Sequence, residues 1–113
     1  MNLRDGDNAF VDLAKLQMYC LDPRHPRGAC KARQFSARLG ITARDAETLA
    51  RDLLNAMDGS TRVVAGVRDE FGQRYQLDVD VTGPKGTAMV RTTWITRDGD
   101  RGPRLVTCFL LDH

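Results

Sequence analysis

The chain has 113 residues, 17 basic against 15 acidic side chains, a net charge of +2 and only 6% aromatic residues. That length makes one domain, residues 1–113, able to bury roughly two-thirds of its unfolded surface without a staple. The near-neutral balance excludes the global cationic field of a DNA-coating protein, and the few aromatics exclude a platform of several stacked rings. No run approaches the ~20 apolar residues of a spanning helix, and the acids in "MNLRDGDNAF" are unlike a secretory leader.

In chain order, "AFVDLAKLQMYCL" spaces Phe10, Leu13, Leu16, Met18 and Leu21 as a short amphipathic helix over about residues 10–20. Pro23 and Pro26 stop it, because the residue before a proline is pushed out of the helical region. "GACKARQFSARLG" predicts a second helix over 30–39, with Ala32, Phe35 and Leu39 on one face and Gly40 as its stop. A third helix over 43–57 is signalled by Thr42 as N-cap, by Asp45 three residues on, and by the stripe Ala46, Leu49, Leu53, Ala56 and Met57.

After residue 60 the period becomes alternating. "TRVVAGV" reads as a strand, and "QRYQLDVDV" places Tyr75, Leu77, Val79 and Val81 on one side. "TGPKGT" and "DGDRG" are turns that separate "AMVRTTWITR" from "PRLVTCFLL". Short connections imply an antiparallel meander of four strands. The fold expected is therefore α+β, N-terminal helices packed on one face of a four-stranded antiparallel sheet, the other face partly open. Thr residues at mid-strand on β-forming positions are either packing choices or the lining of a groove, and Trp94 is either a core ring or a surface on which a base stacks.

Charge is concentrated in one place. Arg24, Arg27, Lys31, Arg33 and Arg38 surround His25, and no acid intervenes between Asp22 and Asp45. Cys20, Cys30 and Cys108 form no CxxC pair, so neither a zinc site nor any other metal or cofactor is expected.

The run "KLQMYCLDPRHPRGACKARQFSARLG" resembles a small toxin-like domain found as stand-alone bacterial proteins and at the C-termini of polymorphic contact-dependent toxins. The residues that carry the likeness are Leu21, Pro23, His25, Pro26 and Gly28, then Lys31, Ala32, Phe35, Leu39 and Gly40. Further along they are Phe71, Gly72, Arg74 and Tyr75, then Trp94 and Ile95, then Leu105, Val106 and Thr107. Asp22 departs from the Asn expected there. Such domains look like members of the barnase/EndoU/colicin/RelE-type ribonuclease superfamily, whose fold is the one already read from the periodicity.

The resemblance implies metal-independent cleavage of RNA, with tRNA as the expected substrate. A base takes the 2′-hydroxyl proton, the oxygen attacks the phosphate, and an acid protonates the leaving 5′-oxygen. An imidazole such as His25 suits the proton transfers, and Lys31 suits the charge that builds on the phosphate. Tyr75 and Thr107 complete the expected catalytic set. Arg24, Arg27, Arg33, Arg74, Arg91 and Trp94 are the expected RNA contacts. A small acidic antitoxin or immunity protein is the expected protein partner, no membrane is, and the expected compartment is cytoplasmic, that of the producing cell or of a target cell. Two other readings stand beside this one: a protein-docking module of antitoxin or immunity type, and an inactive relative that only binds RNA.

Overall fold

The computed structural model describes residues 9–17, 21, 29–57 and 62–111, with the backbone alone at residues 15 and 29–31. Helical segments come first along the described chain. Helix α1 is a single turn, Leu13–Lys15. Helix α2, Ala29–Gln34, widens into a π-turn over Phe35–Leu39. A 3₁₀ turn at Ala43–Asp45 leads into α3, Ala46–Met57. The strands are β1 Val64–Asp69, β2 Gly72–Gly83, β3 Gly86–Thr96 and β4 Arg104–Leu110. They form one sheet in the order β1-β2-β3-β4, each neighbouring pair antiparallel. The α+β layering and the four-stranded meander read from the sequence are thus present.

The start of the first helix is a correction. Phe10 is not helical: its N–H donates to the Pro103 carbonyl at 2.8 Å and its own carbonyl accepts the Leu105 N–H at 2.9 Å. This is a parallel bridge onto the outer edge of β4. The carboxylate of Asp12 accepts the Ala14 N–H at 3.0 Å, which satisfies an orphan donor of the first turn and sets the helix start there. Residues 18–20, the end of the predicted helix, lie outside the described residues.

Register decides which side chains share a face. Tyr75, Leu77, Val79 and Val81 of β2 lie opposite Trp94, Thr92, Val90 and Ala88 of β3. Trp94, Thr92 and Val90 in turn lie opposite Leu105, Cys108 and Leu110 of β4. This face meets Phe35, Leu39, Leu49, Leu53 and Met57 of the helices, and together they are the hydrophobic core. One polar side chain is enclosed with them. The Thr92 hydroxyl donates to the Leu77 carbonyl at 2.6 Å and accepts the indole N–H of Trp94 at 2.7 Å. Both groups would otherwise be buried without a partner.

The helical layer is joined to the sheet at the β2–β3 turn. Gly40, at φ 72°, ends the π-turn in the left-handed conformation, and its N–H and that of Ile41 satisfy the Ser36 and Phe35 carbonyls at 3.0 Å each. The Leu39 carbonyl accepts the Lys85 N–H at 3.1 Å. Gly83 lies so close to that carbonyl that a Cβ there would collide with its oxygen. Gly83→Ala must therefore push the hairpin off the helix, and we expect a lower denaturation midpoint with the slope unchanged. Thr92→Val keeps shape but orphans the Trp94 N–H. It should cost about 1–3 kcal/mol in chemical denaturation, and a change under ~0.5 kcal/mol would show that the indole finds another acceptor.

Candidate functional site

The acid-free run noticed in the sequence extends from Pro23 to Arg44 and holds Arg24, Arg27, Lys31, Arg33, Arg38 and Arg44. His25, Arg24 and Arg27 lie outside the described residues, and Lys31 is described by its backbone alone, in the first turn of α2. The described part surrounds a cavity of about 680 Å³, lined by Leu21, Ala32, Arg33, Ser36, Ala37, Thr42, Ala43 and Arg44. Leu21 and Ala32 are buried, whereas Arg33 and Arg44 are exposed. Among the described residues neither arginine makes an ion pair. The 3₁₀ turn that carries Arg44 is fixed by the Asp45 carboxylate, which accepts the Thr42 N–H at 2.9 Å. Asp45 is thus committed to capping, the role its spacing from Thr42 predicted.

The opposite face of the sheet has a different electrostatic character. Gln76, Thr93 and Thr107 form one cross-strand row, and Asp78, Arg91 and Phe109 form the next. Arg91 grips Asp78 through two nitrogens, at 2.9 and 3.1 Å. That bidentate bond raises the Arg91 pKa further above its ordinary value. Arg74 pairs with Asp69 at 3.4 Å, and Arg104 with Asp100 at 2.9 Å. Backbone N–H groups at Phe71 and Arg97 are the main reason the Asp69 and Asp100 carboxyls titrate below their ordinary range, with Arg74 and Arg104 adding to it.

Two expectations from the sequence are corrected here. Trp94 is 1% exposed and bonded to Thr92, so its ring is core and offers no surface to a base. Tyr75 and Thr107 do not share a pocket. Tyr75 lies on the helix-covered face opposite Trp94 and packs against the core, whereas Thr107 lies opposite Thr93 on the other face. An extra residue in β4 between the Trp94 and Thr93 pairings fixes this register. A bulge of this kind has no signature in alternation. Arg44 extends the same acid-free run past Arg38, since the next acid is Asp45.

Residues 2–112 match the family described as Domain of unknown function (DUF6883). The chain belongs to that family. No curated protein matches it. The fold of this DUF6883 chain is similar to a chain in a solved contact-dependent growth inhibition toxin–immunity protein complex from Klebsiella pneumoniae 342. The two are 18% identical, the TM-score is 0.73, and the likeness covers 98% of this chain and 100% of the other. Among the described residues no helix is long and apolar enough to cross a membrane.

The depressed carboxyl of Asp100 gives a pH expectation. A folded pKa below the unfolded value contributes stability that is present above about pH 4 and lost as pH falls through the folded pKa. Asp100→Asn should therefore lower stability at pH 7 and make the loss on acidification below about pH 4 shallower. Parallel acid limbs for the two proteins in pH-dependent denaturation would overturn this.

Proposed function

We propose that this domain is a toxin-type, metal-independent endoribonuclease of the barnase/EndoU/colicin/RelE type, acting on tRNA or another cellular RNA and neutralised by a dedicated protein. One observation carries the reading. Two described cations of the acid-free run, Arg33 and Arg44, line a cavity and make no ion pair among the described residues. Arg74, Arg91 and Arg104 of the sheet each already hold a carboxylate. A phosphate backbone gains most where no carboxylate must first be displaced. The fold likeness to a chain of a toxin–immunity protein complex supports a toxin- or immunity-type role with a protein partner.

In this reading His25 takes the proton of the 2′-hydroxyl. The 2′-oxygen attacks phosphorus, a 2′,3′-cyclic phosphate forms, and the 5′-oxygen leaves with a proton from Lys31. Arg24, Arg27, Arg33 and Arg44 hold the flanking phosphates. His25 is four residues from Leu21 and four from Ala29 in the chain, a tether of at most about 14 Å on either side. Leu21 lines the cavity. Tyr75 and Thr107, on opposite faces, are left without a part in the chemistry.

A protein-docking reading is favoured by β1, an edge strand exposed at every residue, with Val64 at 60% and Val67 at 65%. Unpaired strand edges accept a partner strand readily. Total tRNA incubated with the purified domain separates the readings. The nuclease reading expects new RNA ends bearing cyclic phosphate, and a loss of about 10²–10⁴-fold in rate on His25→Ala with the fold kept. Arg33→Ala and Arg44→Ala should each weaken binding and reduce its salt slope by about 0.7, while Arg91→Gln should leave both unchanged. Salt-sensitive retention without cleavage would mean an RNA binder. Neither cleavage nor retention would leave protein docking.

A further inference from the structure

The cavity that holds Arg33 and Arg44 is mostly apolar, and phosphate contacts leave its apolar part unexplained. Gly40, at φ 72°, turns the chain back, so a wall carrying Arg33 and Ala37 stands beside a wall carrying Thr42, Ala43 and Arg44. Arg33, Ser36 and Ala37 follow the three- and four-residue spacing of one helix face. Leu21 and Ala32 are buried and form the floor, whereas Ala37 and Thr42 are exposed and Ala43 is half-buried. The apolar lining is thus aliphatic and small. Among the described residues it includes no aromatic ring and no carboxylate.

These walls select among occupants. A volume of about 680 Å³ is more than a phosphate group fills, and it lies within the roughly 300–1,000 Å³ of clefts that enclose whole ligands. A nucleobase would find no ring there on which to stack. An aliphatic side chain would leave water for an apolar surface. Alanine walls also let a partner's backbone come close, as recognition of a helix in a groove requires. The charge at the cavity has one sign. Arg33 and Arg44 are exposed and make no ion pair among the described residues. Asp45, the next acid in the chain, is held by the Thr42 N–H at 2.9 Å. Such a rim favours a partner of the opposite sign.

We infer that this cavity is where the neutralising protein docks, by an acidic amphipathic helix that sets aliphatic side chains between the alanine walls and carboxylates on Arg33 and Arg44. These are the arginines assigned above to the flanking phosphates, so the helix and the RNA exclude one another. Neutralisation is then competitive, and it weakens as salt rises. That a neutralising protein exists rests on the toxin reading above; the aliphatic and cationic character of the cavity does not.

The test uses the isotope-labelled full chain and a synthetic helix peptide of about 18 residues, capped at both ends, with Leu along one face and Glu on the rest. Amide NMR shifts should saturate below about 1 mM peptide, at residues within 32–37 and 42–44. Peptides with Ser for Leu, or with Gln for Glu, should not saturate in that range. Arg33→Gln and Arg44→Gln should each weaken binding about threefold and reduce its dependence on salt. Ala37→Glu, which sets a like charge on the wall, should weaken it about tenfold. All three positions are exposed, so the variants should fold. No saturation by about 1 mM, equal binding of either control peptide, or shifts confined to β1 would each overturn the assignment. So would tRNA cut at full rate while the peptide saturates the cavity. Cleavage of tRNA without peptide binding sinks this inference and keeps the nuclease; peptide binding without cleavage does the reverse.

Discussion

Two hydrogen bonds in series, from the Trp94 indole to the Thr92 hydroxyl and on to the Leu77 carbonyl, run through the middle of the core. Every other part of the sheet's buried face depends on them. The largest ring in the core carries a donor that cannot stay unsatisfied there. Placing Thr92 one step along the same face of β3 lets that ring be buried whole. It also ties β3 to β2 at the register that sets Val79 against Val90 and Val81 against Ala88. A one-residue slip would expose that whole face and break both bonds together. The helices can then cover a surface that is apolar almost throughout.

Much of this architecture was legible in the sequence. The alternation of Tyr75, Leu77, Val79 and Val81 gave the second strand and its inner face, and the stripe from Ala46 to Met57 gave the longest helix. Thr42, Asp45 and Gly40 marked boundaries that the structure has, because caps are local chemistry. What failed was not local. Phe10 left its predicted helix because the edge of β4, distant in sequence, offered it a carbonyl and an amide. Trp94 was ambiguous because a Trp in a strand can be core or surface, and its burial and its bond to Thr92 settle it. Tyr75 and Thr107 were separated by one extra residue in β4. Of the candidate site, the acid-free run could be read directly from spacing, whereas the pairing of each sheet arginine with a carboxylate needed three dimensions.

The distribution of partners gives the molecule two unlike surfaces despite a net charge of only +2. On the sheet, positive and negative side chains sit opposite each other and largely cancel beyond a Debye length. Residues 23–44 contain six basic side chains and no acidic one. A small chain can in this way present a strongly cationic patch and avoid the self-repulsion of a basic protein. The composition alone, read as an average, hides this.

The bridge between Phe10 and Arg104 also has a consequence in time. A ribosome delivers the helices first, and they emerge with Leu49, Leu53 and Met57 turned toward a sheet that does not yet exist. Isolated helices this short are marginal in water. The meander can then zip hairpin by hairpin, since each strand pairs with its neighbour in the chain. The segment at residue 10, however, has no edge to join until residues 103–105 have been made. The domain therefore completes its fold only when nearly all of its chain is available at once, and a nascent or half-threaded chain has no finished core.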